Sequence, residues 1–304
     1  SALYAQGDTR TYRNVLIIGL IFNIILNPIF IFGLFFIPAF GVAGLAISTI
    51  FIQLIACIYL YFKVNQTELK IIFKISNFLI RKNFLINVFN QCMPITMALF
   101  LVAAGSYILL SFLSIFGDRA IAGYGAAVRF EHLFSLPVIG LNTAVISIAG
   151  QNFGAKRFDR IKEVYFKAVF IGMIIMCLAG IIIYLLSESI ISIFSNDFEV
   201  IKFGSTYLKI AAFMGPIYPV FFISHALFTA LKKTFLIFYS NLFRMIIFPI
   251  TIVWFILNIM DGYFNDIFYG LLLMNWAFGF IMLAIARGVM IKTFNEDKKV
   301  FFIF

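Results

Sequence analysis

At 304 residues, 63% of them apolar and only 12% charged, the chain has too little polar surface to coat a particle in water, where about 45–50% and about 25% are usual. A formal net charge of +10 would suggest nucleic acid in a water-soluble protein. Here apolar runs of roughly 18 residues or more recur along the whole length, so membrane orientation accounts for the basic excess and no nucleic-acid partner is expected.

The opening stretch, SALYAQGDTR, has no starting Met and no signal peptide, and reads as the middle of a longer sequence. Spans are predicted at 14–37 and 41–62, then 91–116 and 120–148, then 165–187, 201–230, 234–257 and 266–290. Each is long enough for a hydrocarbon core of about 30 Å at about 1.5 Å per residue. Between the first two spans and the other six, 63–90 mixes apolar residues with Lys70, Lys74, Arg81 and Lys82, which fits either a helix lying in the interface or a basic linker. Cys57, Cys92 and Cys177 fall singly in apolar runs and read as packing residues, with neither metal nor disulfide spacing.

The charges alternate from flank to flank. Arg10 and Arg13, the 63–90 bases, Lys156 to Lys167, Lys232 and Lys233, and Arg287 to Lys299 mark one side. Asp118, Glu188, Asp197, Glu199, Asp261 and Asp266 mark the other. Because cytoplasmic loops carry the Lys/Arg excess, both ends of the chain are expected in the cytoplasm. Pro28, Pro94, Pro137, Pro216, Pro219 and Pro249 fall inside spans, where each removes a backbone donor and kinks its helix.

Three motifs carry a resemblance. GDTRTYRNVLIIGLIFNIILNPIFIFG (Gly7 to Gly33) and GVAGLAIST (Gly41 to Thr49) resemble the fifth and sixth helices of the multidrug and toxic compound extrusion (MATE) family. GYGAAVRFEHLFSLPVIGLNTAVISIAGQNFGAKR (Gly123 to Arg157) resembles its eighth helix and the loop that follows. The resemblance implies an all-α polytopic membrane protein of eight transmembrane helices. Two of them (1–62) would end an incomplete N-terminal lobe, 63–90 would be the cytoplasmic linker, and 91–304 would form a six-helix C-terminal lobe. On that reading the chain is a fragment, helices five to twelve of twelve, whose missing N-terminal helices are partners. Within GQNFGAKR, Gly150 and Gly154 permit a tight turn, while Gln151 and Asn152 can cap helix ends or bond freed carbonyls. It lacks the Lys-Ser/Thr ending of a phosphate loop, so no nucleotide or other cofactor is implied.

The polar groups inside spans are the candidate site. Arg129, Glu131 and His132 lie near the bilayer midplane, where a charge costs at least about 2.5–3.5 kcal/mol, so their helix is expected to turn them toward protein or a water-filled cavity. Residues two apart cannot face each other on one helix, so Arg129 and Glu131 each need a partner elsewhere. For Glu131 two readings stand: a structural clamp with Arg244 or Arg129 across helices, or a group that couples transport to a proton or cation. Asn142 returns to roughly the face of Glu131, eleven residues on, and is expected to line the same cavity. His132 and His225 fit satisfied core residues as well as proton carriers. Asn27 shares a face with Asn23, beside Pro28. Where branches of the family place acids in the seventh and tenth helices, this chain aligns Val102 and Tyr218.

The resemblance thus implies an H⁺- or Na⁺-coupled antiporter in the plasma (bacterial inner) membrane, in contact with lipids, exporting amphipathic or cationic compounds by alternating access. The alternative within the superfamily is a lipid-linked saccharide flippase, for which Arg129 and Arg244 would supply positive charge. An intramembrane enzyme would need a metal cluster, a Ser/His pair or two acids at mid-depth, and one acid with two scattered histidines does not make one.

Overall fold

The computed structural model describes Leu3 and residues 8–34, 38–67 and 82–301, with the backbone alone described at Thr9 and 296–301. The possible interfacial helix within 63–90 falls largely on 68–81, outside the described residues. Among the described residues there is no strand, and eight helical stretches are long and apolar enough to cross a membrane. The chain divides into two compact units, Ser1–Phe84 and Leu85–Phe304.

The first unit is a helical hairpin of α1 (Thr9–Phe32) and α2 (Val42–Asn65). Asp8 caps α1, accepting from the Thr11 amide at 3.0 Å and from its hydroxyl at 2.6 Å. The hydroxyl first, then the amide, hold the Asp8 carboxyl below its usual range. The two helices touch at Gly44, where any Cβ would run into the carbonyl of Phe30, so only glycine permits this approach.

The second unit begins within the first turn of α3 (Lys82–Leu113). Then come α4 (Asp118–Gly154), α5 (Phe158–Ser192), α6 (Phe198–Met214), α7 (Tyr218–Ala230), α8 (Phe235–Asn241), α9 (Phe248–Asn258) and α10 (Phe264–Phe301). The α6–α7 span is the axis of this unit: 72% of its most apolar stretch is buried, against 39% or less for every other span. Its neighbours approach through small residues, as where a Cβ on Gly123 of α4 would lie 2.6 Å from the carbonyl of Val200 on α6. The buried core is built on this axis, with Leu208, Phe221, Leu227 and Phe228 packed among Ile161 and Tyr165 of α5 and Phe268 of α10.

Two spans are broken, and proline sits at both breaks. A 3₁₀ turn, Gly215–Ile217, separates α6 from α7, with Pro216 inside it and Pro219 just after. A π-helical turn, Leu242–Ile247, separates α8 from α9, followed by Pro249 in the first turn of α9. Pro28, Pro94 and Pro137 lie within continuous helices. Gly105 of α3 packs directly on the Met245 carbonyl of the π turn, where no Cβ would fit.

The close of α4 corrects the reading of GQNFGAKR. Neither Gly150 nor Gly154 takes a positive φ; the left-handed residue is Lys156, at φ 57°. The helix ends with Lys156 N–H on Phe153 O and Arg157 N–H on Asn152 O, and α5 starts one residue later. The Asn152 side chain bonds a carbonyl, as expected, donating to Ile148 O at 2.8 Å. The three cysteines are a second correction: all are exposed on the surfaces of their spans, not packed inside.

Candidate functional site

Along α4, the buried positions Gly123, Ala127, Glu131, Ser135 and Val138 recur at three- and four-residue spacing and form the stripe that faces the α6–α7 axis. Glu131 lies on that stripe, 6% exposed, about 20 Å along α4 from its start at about 1.5 Å per residue. Arg129 and His132 do not. A step of about 100° per residue carries both off the stripe, and both are exposed with no hydrogen bond or ion pair among the described residues. Glu131 is thus turned toward protein, while Arg129 and His132 lie on the exposed face of α4.

The carboxylate is met by a tyrosine, not by arginine. The Tyr207 hydroxyl donates to Glu131 Oε2, while the Tyr218 hydroxyl donates to Met214 Sδ at 3.8 Å. Tyr207 is walled by Tyr124 and Phe268, with ring centroids 4.8 and 4.7 Å away, and Tyr124 stacks on Phe268 at 5.7 Å. An acid so enclosed is shielded from water by ring faces and held by a phenol donor.

Arg244 packs against Tyr218 and Phe221. Its guanidinium lies 5.0 Å from the Tyr218 ring centroid and 4.0 Å from that of Phe221, and its Nε donates to Asn275 Oδ1 at 2.9 Å. Asn275 is itself fixed by donating to Leu271 O at 2.8 Å. Glu131 is within electrostatic reach of Arg244 but not ion-paired with it. The ion pairs among the described residues are Arg119–Asp197, Lys167–Glu163 and Lys209–Glu188, all near helix ends. Neither clamp, Glu131–Arg244 nor Glu131–Arg129, forms. Arg244 is engaged instead by Asn275 and the rings of Tyr218 and Phe221, and Arg129 lies on the exposed face of α4.

The other candidates are ties between helices. Asn142 donates from Nδ2 to Phe222 O at 2.5 Å, holding α4 to α7. His225 Nε2 is 3.2 Å from Ser240 Oγ, bridging α7 and α8, so it is a satisfied histidine. In the first unit, the Ser48 hydroxyl of α2 donates to Asn27 Oδ1, and Asn23 donates to Gly19 O of its own helix at 3.1 Å. Among the described residues, no group of three or more His, Cys, Asp or Glu is placed to hold a metal.

Residues that sequence reasoning missed complete the arrangement: Tyr207, Tyr124 and Asn275. A signal for the first was present, since Tyr207 and Tyr218 are eleven residues apart, close to three helical turns, and so share a face. Asn275, near the middle of the last predicted span, was the only Asn there.

The MatE family model matches residues 94–255, more than half of the chain. A probable multidrug resistance protein NorM of Pasteurella multocida (strain Pm70) is 33% identical over 214 residues, covering 68% of this chain and 45% of its own length. A probable multidrug resistance protein YoeA of Bacillus subtilis (strain 168) is 28% identical over 211 residues, 68% of this chain and 46% of its own. A solved outward-facing multidrug resistance MATE family transporter of the MOP superfamily superposes with a TM-score of 0.84 over 96% of this chain and 65% of its own, at 18% identity, which speaks for the fold alone. The chain therefore spans about half the length of the curated relatives it matches. By its motifs, its eight apolar helices and the family match across its central spans, this chain belongs to the MATE family of efflux transporters.

Proposed function

We propose that the chain works in ion-driven export, exchanging H⁺ or Na⁺ for small amphipathic, often cationic, compounds across the plasma membrane, with Glu131 as the group that takes up the ion. The observation that carries this is a buried carboxylate held by Tyr207 and not fused to a base. A buried ion pair would lock the acid in its charged form. A carboxylate bonded to a phenol keeps two states: charged, it accepts from Tyr207; protonated, it becomes a donor itself.

Uptake of a cation at Glu131 cancels the negative charge that Arg244 feels. Arg244 rides on the π turn, whose backbone bonds are already displaced from the α pattern. The ion thus acts on the helix break, which is what differential affinity of two facing states requires. Residues 1–62 and 91–304 are assigned to the N- and C-terminal lobes, and both ends to the cytoplasm, on the resemblance and the loop charges. The flippase alternative loses support on this side of the site, since Arg244 is committed to Asn275 and two rings.

The test is Glu131→Gln, nearly isosteric and unable to ionise. Placed in the full-length transporter, the variant should reach the membrane at normal yield yet fail to extrude ethidium against a gradient. Efflux at the unmodified rate would refute the coupling role, and a collapse in folded yield would return Glu131 to a structural one.

A further inference from the structure

Where α4 ends and α5 begins, beside the C-terminal part of α10, the surface holds a cleft of about 550 Å³ lined by Lys156, Arg157, Arg160 and Lys162 with Asp159 as the acid among them. Setting membrane orientation needs only a count of basic residues in a loop. A concave arrangement of four cations is more than that. Of these residues, Arg157, Arg160 and Lys162 enter none of the ion pairs among the described residues.

The walls of the cleft are apolar. Phe158 packs on Phe294 with centroids 4.6 Å apart, Lys162 Nζ lies 5.6 Å from the Phe294 ring centroid, and Ile291 lines the same space. The first turn of α5 has no side-chain cap, its cap position being Arg157, so its amide donors add to the positive field. In depth, Arg160 is four residues before Val164, where the apolar run of α5 opens, a rise of about 6 Å. That places the cleft in the headgroup layer, which adds roughly 5–7 Å to each side of the hydrocarbon.

We propose that this cleft binds the phosphodiester of an anionic phospholipid, its cations on the phosphate and its phenylalanines and Ile291 against the upper acyl chain. Basic pockets between spanning helices at this level take such headgroups, and each nearby Lys or Arg contributes to the attraction. A soluble phosphate would use the cations but gain nothing from the apolar wall. Asp159 opposes the ligand and sets a sign that a structural role does not share.

The purified chain, stripped of lipid and exchanged into mixed micelles of phosphatidylcholine and phosphatidylglycerol, is re-isolated and its retained lipid measured by mass spectrometry. Phosphatidylglycerol should be retained well above its mole fraction in the micelle. Arg160→Gln should lower that excess roughly fivefold, and Asp159→Asn should raise it by a similar factor. Lys232→Gln with Lys233→Gln, a basic loop outside the cleft, should leave it unchanged. If Arg160→Gln fails to fold, the Asp159→Asn increase decides alone. Retention at the micelle ratio, an equal loss in the Lys232/Lys233 variant, or displacement of the lipid by millimolar glycerol phosphate would each overturn the proposal.

Discussion

The Tyr207 hydroxyl donates a hydrogen bond to the Glu131 carboxylate, so the acid of α4 is held by a phenol on the central axis of the second unit and not by a base. A buried charge-assisted hydrogen bond of this kind is worth about 1.5–3 kcal/mol, and it joins two helices that also touch through Gly123.

Tyr207→Phe should therefore destabilise the protein by about 1–3 kcal/mol, leaving the carboxylate one donor short. In a Glu131→Leu background the same change should cost much less. A double-mutant cycle read by thermal unfolding in detergent measures the coupling. Additive effects would mean that the contact contributes little.

Arg244→Lys keeps the charge but loses the planar stack on Tyr218 and Phe221 and the bond to Asn275, so it is expected to behave as a loss, not as a conservative change. Asn275→Leu removes the acceptor and should cost about 1–3 kcal/mol. Both are checked by unfolding midpoints and by ethidium efflux in the full-length transporter. Unchanged midpoints in both variants would show that the base is not held where the structure has it.

Gly105→Ala should lower folded yield, because its methyl would meet the Met245 backbone at the π turn. Gly125→Ala, on α4 with nothing within 4 Å of its added methyl, should be tolerated. Size-exclusion profiles of the two variants, expressed side by side, give the comparison.

The loop charges predict an orientation. With Cys57, Cys92 and Cys177 replaced by Ala, a cysteine at Asn196 should react with a membrane-impermeant maleimide in intact cells, and one at Lys232 only after lysis. The reverse pattern would invert the topology.

Much of the fold was legible because spanning helices are written in the sequence as long apolar runs, and the family motifs supplied their order. The burial of Glu131 was legible for the same reason, since a midplane acid must leave the lipid. Its partner was not. Span-by-span reading pairs opposite charges, and nothing local says that Tyr207 takes Glu131 and Asn275 takes Arg244; those contacts depend on how other spans pack. Proline stands at both breaks but also inside three continuous helices, so it told neither where a span would break nor how, one by a 3₁₀ turn and the other by a π turn. The outward faces of Arg129 and His132 follow from α-helical angles once the buried stripe is known, and the stripe itself depends on which neighbours α4 has.

A π turn is an α-helix carrying one surplus residue, and the surplus can be passed along the helix without breaking it. Each residue it crosses turns by about 100° and advances about 1.5 Å. In the seventh span, where Arg244 lies within Leu242–Ile247, moving the surplus by a single position would swing that guanidinium from one wall of the bundle to the next. The span is wound like a screw with one loose thread, and its pitch offers a large rotation of one side chain for a small axial movement of the helix.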